Sequence, residues 1–182
     1  MKNLIQRYAS ADAAGRVGLI YSNFATFLGT VDSRTDGLVY LIENEKALSR
    51  RKANGNLGVR VQTSTISDIT GNTATGNVMT RDALVECDFS GGVLDGTERG
   101  DLFIKEAYLL QDMRRDYKLF VTQLYNLEER EREMLVCFMK RNKSLSQLAD
   151  ELSIEESSVR KRLSRSRKKL WGQMIDYMEG RV

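Results

Sequence analysis

Ser144-Leu-Ser-Gln-Leu-Ala-Asp-Glu-Leu-Ser-Ile-Glu-Glu-Ser-Ser-Val-Arg-Lys-Arg-Leu-Ser-Arg-Ser-Arg-Lys-Lys-Leu170 is the stretch on which the fold of this chain turns. Leu145, Leu148, Ala149 and Leu152 recur at i, i+3, i+4 and i+7, which puts them on one face of a helix. Ser144 or Ser146 can cap its start by accepting from an unpaired backbone N–H. Ser153 breaks the run, and Ile154 puts an apolar plug into a very short turn. Val159, Leu163, Ser166 and Leu170 then follow in steps of four, three and four, again one stripe. Two short one-sided helices joined by about three or four residues predict a helix-turn-helix.

The rest of the second helix is as informative as its stripe. At 100° per residue, Ser157, Ser158, Lys161, Arg165 and Lys168 point away from the apolar side, and Arg160 and Arg162 flank it. Seven of the ten residues from Arg160 to Lys169 are Lys or Arg, and none is acidic. A helix over Glu155–Lys169 is roughly 22 Å long, enough to lie in a major groove. Small polar residues at its start let the backbone approach bases, and later cations suit phosphates. A plain solvated basic face needs neither the short turn nor this polar start.

Upstream, Leu127-Glu-Glu-Arg-Glu-Arg-Glu-Met-Leu-Val-Cys-Phe138 reads as a support helix with acidic residues in its first turn. Together, Leu127–Leu170 closely resembles region 4 of bacterial sigma-70 family RNA polymerase sigma factors. The likeness rests on Leu127, Glu131-Arg132-Glu133, Leu135, Leu148-Ala149, Leu152, Ile154, Val159 and the run from Arg162 to Leu170, and covers about a quarter of the chain. It implies a mainly α protein with a C-terminal helix-turn-helix of the winged-helix-like DNA-binding class, without a wing. It also implies base contacts at Glu156, Ser157, Arg160 and Lys161, phosphate contacts at Arg162 and Arg165, and a contact with RNA polymerase. Ser158 and Lys168 join this DNA-facing set by periodicity. A softer likeness, over Leu57–Asp68, is to a segment of phage-encoded sigma-like regulators of Gram-positive hosts.

Composition sets the bounds. The 182 residues hold one or two small domains, with 28 Lys and Arg against 25 Asp and Glu, a net charge of +3. Basicity is therefore local, which suits site-directed DNA binding more than bulk packaging. Two cysteines, Cys87 and Cys137, read as free thiols in a reducing cytoplasm, and the lack of histidine and of CxxC argues against zinc. No apolar run approaches the ~20 residues of a membrane span, and no signal peptide opens the chain. No cofactor, membrane contact or enzymatic activity is expected, since no nucleotide loop or carboxylate constellation is present.

Working outward, the spacing predicts a helix from about Ser10 to Leu28, with Gly29 as its stop. Asp32–Gly37 reads as a turn, and Leu38–Ala53 as a second helix ending in the basic patch Ser49-Arg-Arg-Lys52. That patch suits the negative helix end, or a secondary contact with DNA or polymerase. Gly55–Gly76, with the β-type run Val59–Thr63, reads as an extended linker, within a flexible segment over about 54–80. Thr80–Phe89 reads as a short helix capped by Thr80. Glu98–Asn126 reads as a long helix with Leu102, Leu109, Met113, Phe120 and Leu124 to one side. Trp171–Met178 continues the final helix. These elements predict a helical N-terminal region over 1–97 and a DNA-binding domain over 98–182.

The expectation is a sequence-specific, sigma factor-like transcription regulator, phage or prophage encoded and cytoplasmic. It would bind double-stranded promoter DNA and RNA polymerase. No promoter-melting region is recognisable in the first 98 residues. The alternative is a phage DNA-packaging adaptor, like a small terminase, acting as a homo-oligomer.

Overall fold

The computed structural model describes residues 2–53 and 69–181. Their regular structure is helical throughout: α1 (Leu4–Ala9), α2 (Ala13–Ser22), α3 (Phe27–Ala53), α4 (Ile69–Glu86), α5 (Gly100–Leu124), α6 (Glu129–Met139), α7 (Leu145–Leu152) and α8 (Glu156–Met178). Two compact units result, one of residues 1–30 with 113–182, the other of residues 31–112. The division expected at 97/98 thus falls inside the second unit. Side chains of α3 hold that loop: Ser49 donates to the Gly96 carbonyl (2.6 Å), Lys52 pairs with Glu98 (3.1 Å), and Glu45 pairs with Arg99.

The first unit opens with a reciprocal cap. The Asn3 side chain accepts from the Gln6 backbone, and the Gln6 side chain accepts from the Asn3 backbone. Asp12 caps α2 by accepting from Gly15 (2.8 Å). The single helix expected over Ser10–Leu28 is interrupted. The Asn23 side chain donates to the Leu19 carbonyl at 2.8 Å, competing for the backbone acceptor and ending α2. Phe24 and Phe27 remain buried all the same, because both stack on Tyr117 at 5.5 and 5.6 Å. Phe120 adjoins Phe24 at 5.8 Å, and the Tyr8 ring meets Phe27 edge-on.

One polar pair sits inside this aromatic core. The Tyr8 hydroxyl donates to the Asp116 carboxylate, whose residue is only 4% exposed. A buried carboxylate needs donors, so Tyr8→Phe, which removes one, should lower the stability of the protein by about 1–3 kcal/mol in urea. A variant as stable as the parent would show that this bond carries no net energy.

In the second unit, α3 buries Val31, Thr35, Leu38, Val39 and Ile42. That spacing keeps the helix running through Gly29 and through Asp32–Gly37, where the sequence predicted a stop and a turn. The Thr35 hydroxyl folds back onto the Val31 carbonyl (3.0 Å), so its burial leaves no unmet group. Packing outweighs the cost of two helical glycines, about 1 kcal/mol each.

The same holds for α4. Expected as linker up to Gly76, the chain is already helical from Ile69. Thr80 is a buried mid-helix residue rather than a cap, and its hydroxyl donates to Glu43 (2.8 Å). Ala83 and Leu84 bury the same helix. Burial pushes the Glu43 carboxyl up, but bonds from Lys46 and Thr80 outweigh it and hold the group below its ordinary value. The run Val59–Thr63 and the segment Leu57–Asp68 lie outside the described residues.

Helix α5 forms nearly as predicted, and Met113, Phe120 and Leu124 of its expected stripe are buried; only at the N-terminal end does the buried side pass to the adjoining residues. Phe103, Ala107 and Leu110 are buried, while Leu102 is 60% exposed. The doubly bonded pair Arg34–Glu106 (2.5 and 2.8 Å) joins α3 to α5 on the same stretch of the helix. Among the described residues no helix is long and apolar enough to cross a membrane.

Candidate nucleic-acid interface

Charge is segregated between the units. The first holds nineteen Lys and Arg against twelve Asp and Glu, the second nine against thirteen. The excess of cations therefore belongs to the unit that carries α6, α7 and α8.

Helix α7 begins at Ser144, whose hydroxyl accepts from the Gln147 backbone (3.2 Å). The Gln147 side chain accepts in return from the Ser144 N–H (2.8 Å). Such a reciprocal cap is worth about 1 kcal/mol and fixes where the helix starts. The helix ends at Ser153, which takes the left-handed conformation with φ 51° and ψ 43°. Ser153 N–H then bonds Asp150, and Ile154 N–H bonds back to Ala149 (3.0 Å). Glycine is the usual residue in this αL closure, so serine is strained here. Only Ser153, Ile154 and Glu155 separate α7 from α8. Glu156 in the first turn of α8 suits the positive helix end.

Helix α8 packs against α2, α6 and α7. Its buried residues are Val159, Leu163, Ser166, Leu170 and Met174. They face a core that includes Met134, Leu135 and Met139 of α6 and Leu148 and Ala149 of α7. Ser166 is tolerated there because its hydroxyl returns to the Arg162 carbonyl (3.1 Å). Leu152, placed in the α7 stripe by its spacing, lies at the rim at 36% exposure.

Against that stripe the candidate contact residues divide. Lys161, Arg162, Arg165 and Lys168 are exposed and form no ion pair among the described residues. Arg160 is exposed but donates to Glu156 one turn back, at 2.6 and 3.2 Å, and Glu156 is half-buried. Ser157 is exposed and donates to Glu155 (3.1 Å), and Ser158 is half-buried. Four free cations thus share an unobstructed face, while Arg160 and Glu156 would have to release each other to meet a ligand.

The role of Arg167 was not apparent from the sequence. Its guanidinium lies 4.6 Å from the Trp171 ring and 5.2 Å from the Tyr21 ring. Tyr21 in turn meets Trp171 edge-on at 5.2 Å. Burial raises the Tyr21 phenol above its ordinary value, opposed by the Arg167 charge. This cation–π cluster, worth about 0.5–1 kcal/mol per exposed contact, ties α2 to the middle of α8. The i, i+4 spacing of Arg167 and Trp171 was a visible hint, but Tyr21 lies far away in sequence. No family model matches the chain, and no curated protein and no solved structure matches it.

Proposed function

We propose that α7, the turn at Ser153–Glu155 and α8 form a helix-turn-helix like that of sigma factor region 4, with α8 as its recognition helix. On this reading the protein is a sequence-specific transcription regulator, phage or prophage encoded, that binds promoter DNA and RNA polymerase. The observation that carries the reading is the orientation of α8: its leucine and valine side is buried, and Lys161, Arg162, Arg165 and Lys168 are exposed and unpaired among the described residues. A face of this kind, at the start of a long helix that follows a tight corner, matches the demands of major-groove entry. Glu156, Ser157, Ser158, Arg160 and Lys161 would meet base edges, and Arg162, Arg165 and Lys168 phosphates.

The test is selection of bound sites from random duplex DNA, with and without RNA polymerase. A single enriched motif, sharpened by polymerase, is expected. No enrichment, together with a ring-shaped oligomer in solution, would replace the regulator with a DNA-packaging adaptor. Within the selected site, Lys161→Ala should cost roughly 1–3 kcal/mol of discrimination at one base pair. Unchanged preference would move base readout to other residues.

A further inference from the structure

Two concavities adjoin on the flank of α8 that meets α2. One, of about 240 Å³, is lined by Arg160, Ser164 and Arg167 of α8 together with Tyr21 and Phe138. The other, of about 590 Å³, shares Tyr21 and Phe138 and extends to Ser22, Arg141 and Lys143. Four cations line this path and no carboxylate does, in a chain with 25 acidic residues. Lys143 and Arg160 are partly compensated from outside the lining, by Glu151 (2.5 Å) and Glu156 (2.6 Å). Arg141 is exposed and forms no ion pair among the described residues. Arg167 is held at the wall by Tyr21 and Trp171.

A groove with cationic rims, an aromatic floor and no anion suits a polyanionic strand. Its position names the strand. A helix in the major groove has a phosphate backbone along each flank. Ser164 and Arg167 form one such flank of α8, beside Arg160 at the edge of its base-facing side, and the groove continues from them to the α6–α7 connection and the end of α2. We propose that Arg141 and Ser22 hold the phosphate backbone of the duplex beside α8, making the N-terminal segment part of the DNA interface. The proposal rests on α8 entering DNA.

The variants for the test keep the fold. Arg141 has φ 56°, a conformation that asparagine adopts more readily than arginine, so Arg141→Asn removes the cation without added strain. Ser22 is exposed, and Ser22→Glu sets a carboxylate against the strand. Affinity for the selected duplex and for a random duplex is measured across a salt series, beside thermal melting. Both variants should melt like the parent and weaken both duplexes by the same factor. Arg141→Asn should also flatten the slope of log K against log[salt] by about 0.9, and Arg141→Lys should restore it. Parent-like binding by both variants, while Arg162→Gln still weakens binding, would overturn this proposal and leave the reading of α8 standing. A parent protein that binds no duplex would overturn both.

Discussion

Leu163→Asp is expected to destabilise the unit formed by residues 1–30 and 113–182 by about 3–5 kcal/mol. Leu163 is 6% exposed and sits in the middle of the α8 stripe, between buried Val159 and buried Ser166. A carboxylate there takes the place of a leucine in the core that includes Val159, Leu148 and Leu135, and placing a charge in such a stripe costs about 3–5 kcal/mol. Domains of this size hold a total of about 5–15 kcal/mol, so the change removes a large share of the unit's stability and moves its urea midpoint far down. The neighbouring variant Ser164→Asp provides the control. Ser164 is exposed between Arg160 and Arg167, so its change should stay within about 0.5 kcal/mol. Urea denaturation followed by far-ultraviolet circular dichroism reads both. Equal midpoints for the two variants would mean that α8 is rotated from the orientation on which the proposed function depends.

The second large effect concerns charge. Replacing Lys161, Arg162, Arg165 and Lys168 together by glutamine should leave the fold intact, because glutamine has nearly the same helix propensity as lysine and arginine. All four side chains are exposed, so no buried contact is lost. Each phosphate contact removed flattens log K against log[salt] by about 0.9, so the three made by Arg162, Arg165 and Lys168 flatten it by about 2.7. At 0.1 M salt this corresponds to a loss of affinity of about five hundredfold. A variant whose slope runs parallel to that of the parent would place the electrostatic contacts on another surface.

The elements that the sequence located well are those whose determinants are local. The α7 cap lies within four residues, Ser144 to Gln147. The αL closure at Ser153 follows directly on the run it ends. The α8 stripe repeats over four turns, so one wrong residue does not shift it. The exposed set Lys161, Arg162, Arg165 and Lys168 follows from the same phase.

Where the sequence misled, the determinants were distant. Gly29, Gly37 and Gly76 signal stops in an isolated peptide, and each sits inside a helix here. Val31, Leu38 and Ile42 in α3 and Ala83 and Leu84 in α4 gain more from burial than those glycines cost. Leu102 and Phe103 compete for one stripe, and the Arg34–Glu106 pair, 72 residues apart, accompanies the choice of Phe103.

Periodicity and capping, read along the chain alone, determined the mainly helical character, the tight corner after α7 and which side of α8 bears its cations. Both depend on groups within a few residues of each other, whose geometry the backbone fixes. Only the tertiary structure decided that α2 packs against α8 through Tyr21, Arg167 and Trp171, and that Tyr8 donates to Asp116 across 108 residues. Those contacts depend on chain closure, which no local pattern encodes, and they bring an N-terminal helix to the flank of the basic face.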